Sequence, residues 1–172
     1  MKKLVSTLTV LSVAFIFAAC SSDKPDNLPA SQTGSADKSF TLIAAANSSA
    51  SGEVSFTLND FSAITEFVKY VNAAVVQTSS FIEIKGITTA QVVELKNVTL
   101  SMKSDPNKKI VLPTITANVK FSELPQLTFL QNVMDEINRR GSSAVVLTYT
   151  STHNLTNPVT LTIKMDTRFT FE

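Results

Sequence analysis

The chain carries few side chains that could catalyse a reaction. His153 is its only histidine, and it lies in a run of turn-forming residues at positions 152–158, between two predicted strands. Nucleophilic catalysis needs a nucleophile beside a base, and no second histidine can assist. We therefore interpret His153 as a solvated turn residue rather than a catalytic base, and we expect no enzyme activity.

Metal and cofactor sites are also not indicated. Cys20 is the only cysteine, so no spacing of soft ligands for zinc or haem exists. A phosphate-binding loop needs closely spaced glycines at the start of a helix. The four glycines of the chain are far apart: Gly34, Gly52, Gly86 and Gly141. The sequence thus predicts no metal and no cofactor.

One pair of carboxylates could in principle serve acid–base chemistry. Glu83 and Glu94 lie on strands that are neighbours in the sequence, and Lys85 and Lys96 follow them at the same spacing. This arrangement favours cross-strand ion pairs on a solvated face over a glycosidase-like pair.

The charge balance gives no support for nucleic-acid binding. The chain has 15 basic and 14 acidic side chains, and without Lys2 and Lys3 its net charge is near −1. Nucleic-acid-binding proteins usually carry a clear basic excess. We therefore expect no nucleic-acid partner.

The first residues have the composition of an export signal. Lys2 and Lys3 supply positive charge, and the following segment, 4–19, contains no charged residue. This segment includes Ser and Thr and is shorter than the roughly 20 apolar residues that span a bilayer. We predict that residues 1–19 form a signal peptide that is removed.

The end of this segment reads Phe17-Ala18-Ala19-Cys20. It resembles the lipobox of bacterial lipoproteins, although an aliphatic residue is usual at the position of Phe17. The resemblance implies that Cys20 is lipidated, becomes the new N-terminus and anchors the chain to a membrane. By the sorting rules of such lipoproteins, Ser21 implies the outer membrane of the cell envelope. The competing interpretation is an ordinary secretory signal with a chance cysteine.

After the lipid-modified Cys20, the chain is polar up to Lys38. Residues 21–38 are rich in Ser, Asp and Pro and contain one large aliphatic residue. Such a segment cannot bury enough apolar surface to offset its ordering entropy. We predict a flexible tether over residues 20–38 and a single β-rich domain over residues 39–172.

Apolar and polar residues alternate along most of this domain. The clearest example is 159–171, where the odd-numbered positions are mostly apolar and the even-numbered ones polar. Similar alternation occurs over 54–59 and 98–103. Further strands are predicted near 39–45, 80–87, 108–121 and 143–151, with a bulge or break at Pro113.

Two segments instead show helical spacing. Apolar residues recur every three or four positions between Ile64 and Val75, behind Asp60 and Ser62 as candidate caps. The second segment runs from Leu127 to Ile137 after Ser122, and Gly141 suits the left-handed position that ends a helix. The sequence thus predicts two short amphipathic helices.

These elements predict a mainly β fold: an antiparallel β-sandwich of about seven strands with two helices. Short motifs also recur at offsets of about 60 residues. They are consistent either with an internal duplication of β-α-β-β units or with chance recurrence in a β-rich chain.

Beyond the lipobox, the chain shows only a general likeness to uncharacterised bacterial lipoproteins with one β-sandwich domain. We predict a membrane-anchored, non-enzymatic binding or structural module. The alternative is a carrier or sensor of a small apolar ligand held between the helices and the sheet. Its pocket would be lined by residues of the two apolar stripes: Phe67, Val71, Leu130 and Met134.

Overall fold

A computed structural model describes residues 24–88, 93–155 and 158–172, which form nine strands and one α-helix. The helix, α1, is Leu124–Arg140. The strands are β1 Ser31–Leu42, β2 Ser48–Thr57, β3 Val71–Val76, β4 Phe81–Lys85, β5 Leu95–Met102, β6 Asp105–Val111, β7 Val119–Phe121, β8 Ser142–Ser151 and β9 Val159–Phe171.

The strands form two antiparallel sheets, which confirms a mainly β, sandwich-type architecture with more strands than predicted. In the first sheet the order is β1-β9-β4-β7, and β3 pairs with β9 beyond the end of β4. The second sheet has the order β2-β8-β5-β6. Strand β9 is therefore central to the first sheet, and β8 lies next to β2 and β5 in the second.

Alternation along the strands places one row of side chains in a shared core between the sheets. All seven odd-numbered residues of β9 are buried, as the period of two predicts. Phe169 packs edge-on against Phe61, with 5.1 Å between the ring centroids. The second sheet contributes residues such as Phe56, Leu100 and Leu147, which are fully buried.

The predicted tether is wrong over residues 31–38, because β1 begins at Ser31 and pairs with β9 along its whole length. The inward positions at this end of β1 hold Gly34 and Ala36, which are both buried. A side chain at Gly34 would collide with the carbonyl oxygen of Ser62, so only a very small residue fits there. The alternation is present in this strand, but small residues hide it from a hydropathy pattern.

The first predicted helix is also wrong. Residues 58–60 and 68–70 form short 3₁₀ turns, and the segment that follows forms β3. Ala63 adopts a left-handed conformation, with φ of 68°, which interrupts any helix between the two turns. Pairing with the end of β9 then provides the backbone hydrogen bonds of β3, and Val75 is left 57% exposed. Tertiary pairing overrides the three-four spacing here.

The second predicted helix is confirmed as α1. Gly141 ends it in the left-handed conformation, with φ of 83°, as the sequence predicts. The helix begins after Glu123 rather than Ser122. It packs between β3 of the first sheet and the start of β8 of the second, where its apolar face closes the side of the sandwich.

Two amide side chains of α1 bind the outer edge of β3. Gln131 accepts a hydrogen bond from the Val76 amide at 2.8 Å and donates one to the Ala74 carbonyl at 3.1 Å. Seven residues further along the helix, Asn138 donates a hydrogen bond to the Asn72 carbonyl at 3.2 Å. These contacts give the edge strand partners that a neighbouring strand would otherwise provide.

The predicted interruption at Pro113 is confirmed, since β6 ends at Val111 and β7 begins at Val119. The internal duplication is not shown. Its first unit would need a helix over 64–75, where the chain instead forms a turn and β3.

Candidate functional site

A polar pocket of about 310 Å³ lies where α1 ends, β8 begins and β5 turns into β6. We call it the Glu136 pocket. Its lining consists of Lys103, Ser104, Glu136, Arg140, Ser142, Ser143 and Ala144.

Backbone geometry brings these residues together. The αL conformation of Gly141 reverses the chain, and its amide donates to the Ile137 carbonyl at 2.7 Å. Strand β8 therefore starts directly beside the last turn of α1. The Lys103 amide donates to the Ala144 carbonyl at 2.8 Å, which fixes the β5–β6 turn against β8.

Glu136 forms the base of the pocket, with its side chain only 5% exposed. Its Oε2 accepts a hydrogen bond from the Ser143 hydroxyl at 2.7 Å. Its Oε1 lies 3.1 Å from Nη1 of Arg140, one helical turn further on. A buried carboxylate is costly unless it is paired and hydrogen-bonded, and here both oxygens have partners.

These partners set the charge state of Glu136. Burial raises the pKa of this carboxyl, but hydrogen bonds from Ser104 and Ser143 act in the opposite direction. The charges of Arg140 and Arg139 lower it further, so that the pKa lies below its ordinary value of 4.5. Glu136 is therefore a fixed negative charge at neutral pH.

Two cations lie at the mouth of the pocket. The Lys103 side chain is 62% exposed and its Nζ lies 2.9 Å from Oε1 of Glu53. The Arg140 side chain is 56% exposed, and the contact to Glu136 holds one edge of its guanidinium. The exposed Ser142 hydroxyl lies beside them. The mouth thus combines two cationic side chains with a serine hydroxyl, which can donate or accept, and with the Glu53 carboxylate that pairs with Lys103.

The chemistry of this site favours binding over acid–base catalysis. A general base works best when its pKa is near the working pH, whereas the pKa of Glu136 is shifted the other way. Ser143 donates to this carboxylate and lies buried at the base of the pocket. The Glu136 carboxylate, with Ser143 bound to it, is suited to holding the Arg140 guanidinium in place.

Acid is expected to weaken the fold through this site. The unfolded chain protonates Glu136 near pH 4.5, whereas the folded chain does so only at lower pH. Its stabilising contribution is therefore present above pH 4.5 and is lost as the pH falls through the folded-state pKa. At pH 7, Ser143→Ala should lower the free energy of unfolding by about 1.5–3 kcal/mol, because it removes a hydrogen bond to a buried charge.

Urea unfolding of the wild type and the variant between pH 7 and pH 3 measures this effect, with the difference between them shrinking in acid. The matched control is Ser142→Ala, which removes a neighbouring exposed hydroxyl that does not contact Glu136. Equal effects of the two substitutions, or a difference that does not change with pH, would contradict the assignment.

The residues considered for catalysis are not brought together. Glu83 lies in β4 of the first sheet, whereas Glu94 precedes β5 of the second. The predicted cross-strand ion pairs are wrong, because each glutamate instead pairs with the lysine two positions further along its own segment: Glu83 with Lys85 and Glu94 with Lys96. Glu83 and Glu94 thus belong to different layers of the sandwich.

His153 is exposed in the loop between β8 and β9, as predicted for a turn histidine. Its Nδ1 lies 3.0 Å from the Thr152 hydroxyl. Across the described ranges 24–88, 93–155 and 158–172, no group of three or more His, Cys, Asp or Glu side chains is placed to hold a metal ion. Cys20 and the lipobox lie outside the described residues.

The residues predicted to line an apolar cavity do not line the pockets that the structure describes. Leu130 and Met134 are fully buried in the core, and Phe67 packs edge-on against Phe171 at 5.6 Å. A second pocket of about 250 Å³ is formed by the loop and strand between Pro113 and Phe121. A carrier of an apolar ligand stays a prediction, because neither of the two described pockets is lined by these residues.

Sequence reasoning missed Glu136, although the sequence contains a signal for it. The buried face of α1 includes Phe129 and Val133, and Glu136 follows them at helical spacing of seven and three positions. A charged residue inside an apolar stripe is uncommon unless it has a partner. Arg140, four residues later, is that partner.

The comparisons with known proteins give little further information. No protein-family model and no curated protein matches the chain. Among solved structures, the chain is similar to one from desmodium yellow mottle tymovirus, with 14% sequence identity and a TM-score of 0.39. That alignment covers 87% of this chain and 95% of the viral chain. Within the part of the chain that the structure describes, no helix is long and apolar enough to cross a membrane.

Proposed function

We propose that this chain is a lipid-anchored, non-enzymatic binding module of the bacterial cell envelope. The observation that carries the proposal is the run Phe17-Ala18-Ala19-Cys20 directly after an uncharged apolar segment. Ser21 favours the outer membrane as the site of anchoring. The Glu136 pocket is the proposed binding site, because it combines a fixed buried charge with exposed donors.

The fold supports a close relation between this pocket and the anchor. Leu28 packs against the core, and the Ala30 carbonyl accepts a hydrogen bond from the Phe171 amide. A chain from Cys20 to Leu28 spans at most about 28 Å when fully extended. The anchored domain would therefore stay near the bilayer surface rather than move freely above it.

The pocket lies at the same end of the sandwich as this attachment. The start of β1 pairs with the end of β9, which also pairs with the start of β3. Asn138, near the end of α1, contacts β3 at Asn72. The end of α1 and the Glu136 pocket therefore lie at the end of the sandwich where β1 begins.

Lipidation can be tested at Cys20 itself. Cys20→Ala should move most of the protein from the membrane fraction to the soluble fraction, because about 0.8 kcal/mol of membrane affinity is lost with each buried CH₂ group. Ser21→Ala, next to it, is the control and should leave the protein in membranes.

Mass spectrometry of the N-terminal peptide completes the test, since it separates a lipid anchor from a retained leader. The expected product begins at Cys20 and carries a thioether-linked diacylglycerol. An unmodified thiol at this position, or an intact N-terminus starting at Met1, would refute the anchoring proposal.

A further inference from the structure

We propose that the Glu136 pocket binds a phosphate group, carried either by a phospholipid headgroup or by a small soluble phosphate. This inference deepens the proposed function, on which it rests, by naming the chemistry of the ligand. The carrying observation is a guanidinium that a buried carboxylate holds at the mouth of a pocket whose lining also includes Lys103 and serine hydroxyls that can donate.

Arg140 is the centre of the proposed site. Its guanidinium contacts Glu136 through Nη1, and more than half of the side chain is exposed. Arginine presents several N–H donors in one plane and matches the oxygen spacing of a phosphate group. An arginine already fixed by a partner loses less conformational entropy when it binds.

Glu136 is best explained as a positioning residue for Arg140. A carboxylate oxygen would repel an anion if it were open to the pocket. Here, however, the Ser143 hydroxyl occupies Oε2 and the guanidinium contacts Oε1, so the negative charge is directed at groups of the protein. An arginine serving only to cap the C-terminal end of α1 would not need a buried acid beneath it.

The remaining donors of the lining come from two other elements. Lys103 comes from the β5–β6 turn and Ser142 from the start of β8, and both are exposed. Arg139 adds a third cation close enough to influence Glu136. Glu53 pairs with Lys103 and Glu136 with Arg140, and Asp105 directly follows Ser104. The proposed site therefore rests on the geometry of its donors rather than on a local excess of positive charge.

The volume of the pocket also fits this ligand class. About 310 Å³ is at the lower limit of small-molecule sites, so it suits a headgroup better than a large cofactor. Its position at the anchor-side end brings it within reach of the phosphates of the membrane surface. A soluble phosphate monoester would satisfy the same donors.

The test uses the full mature lipoprotein purified in detergent, with isotope-labelled backbone amides. Titration with inorganic phosphate should shift the amide signals of Ser142, Ser143 and Ala144, and the shifts give the dissociation constant. Arg140→Gln should weaken this binding about tenfold or more, because a charge-assisted contact is lost. Arg139→Gln is the matched control, because it removes the same charge from the adjacent residue, which does not line the pocket. It should weaken phosphate binding less than about threefold.

Arg140→Gln leaves Glu136 without its charged partner, so thermal unfolding must show that this variant is still folded. Lys103→Gln provides a second variant, since it removes an exposed cation of the mouth and leaves the Glu136–Arg140 pair intact. It should weaken phosphate binding about threefold to tenfold. Equal losses in Arg139→Gln and Arg140→Gln would show general charge attraction and overturn the site.

The source of the phosphate is decided in vesicles. The lipoprotein is reconstituted into phosphatidylglycerol vesicles and into vesicles of an uncharged galactolipid. Protection of the Ser142–Ala144 amides from hydrogen exchange only with phosphatidylglycerol identifies a lipid headgroup. Binding of inorganic phosphate without such protection identifies a soluble ligand. Absence of both effects overturns the inference and leaves a purely structural ion pair.

These outcomes are separate from those of the anchoring proposal. Phosphate titration in detergent does not depend on the modification of Cys20. A lipidated chain that fails to bind phosphate would refute the ligand but not the anchor. A chain with an unmodified Cys20 that binds phosphate through Arg140 would refute the anchor but not the ligand.

Discussion

Phe169→Ala is expected to lower the free energy of unfolding by about 3–5 kcal/mol, which is the range for removing a buried phenyl ring. Phe169 is fully buried in the central strand β9 and packs edge-on against Phe61. The ring also lies close to Gly34, whose missing side chain leaves room for it. Because β9 has neighbours on both sides, the core cannot collapse easily into the resulting cavity.

Urea unfolding monitored by circular dichroism measures this loss, and a stability of about 5–15 kcal/mol is usual for a domain. The control is Thr170→Ala on the opposite face of the same strand, where the side chain is half-buried; it should cost less than about 1 kcal/mol. A similar loss in both variants would mean that strand propensity, rather than packing of Phe169, determines the effect.

The second large effect is expected at Gly86. This residue follows β4 and adopts φ of 96°, a conformation that L side chains rarely take. A Cβ atom there would lie 2.3 Å from the carbonyl oxygen of Pro158 and 3.1 Å from the Cα of Val159. Gly86→Ala should therefore cost about 2–5 kcal/mol, from backbone strain together with the displacement of β9.

Gly141→Ala separates these two causes. Gly141 has a similar φ of 83°, but apart from its neighbours in the chain no atom lies within 4 Å of the position its Cβ would take. Gly141→Ala should therefore lower the free energy of unfolding only by the cost of the left-handed conformation, about 1–2 kcal/mol. Thermal and urea unfolding of the two variants measure the difference. Equal destabilisation by Gly86→Ala and Gly141→Ala would show that the contacts with Pro158 and Val159 add nothing to the cost of backbone strain.

Most of the strands could be predicted because their side chains alternate in size as well as polarity. In β9 six of the seven buried positions are apolar and only Thr167 is polar, so the period of two is visible from the sequence alone. In the first half of β1 the same positions hold Gly34 and Ala36, and the strand was mistaken for a tether. The prediction of a tether failed over this part of β1 because its inward positions carry small residues, and Gly34 leaves room for Phe61 and Phe169.

Helical spacing gave one correct and one incorrect prediction for a related reason. Leu127 to Ile137 lies beside two sheets and has a terminating glycine, so local preference and tertiary packing agree. Between Ile64 and Val75 the same spacing occurs, but the end of β9 offers a free edge that β3 pairs with. A single sequence does not reveal which long-range partner is available.

The candidate pocket could be predicted only in part. The sequence predicts Gly141 as the end of a helix, which the structure confirms. The contribution of Lys103 could not be anticipated, because it depends on the β5–β6 turn meeting the start of β8. Glu136 was visible as a charge within an apolar stripe, but its partner Ser143 lies beyond the turn in another element.

The amide side chains of Gln131 and Asn138 have a consequence for how copies of the chain meet. An open strand edge invites pairing with another copy of the chain. Here the backbone groups of Ala74 and Val76 are already occupied within the molecule. Another copy of the chain would thus find these two groups of β3 already paired, which protects this edge from strand-to-strand association there.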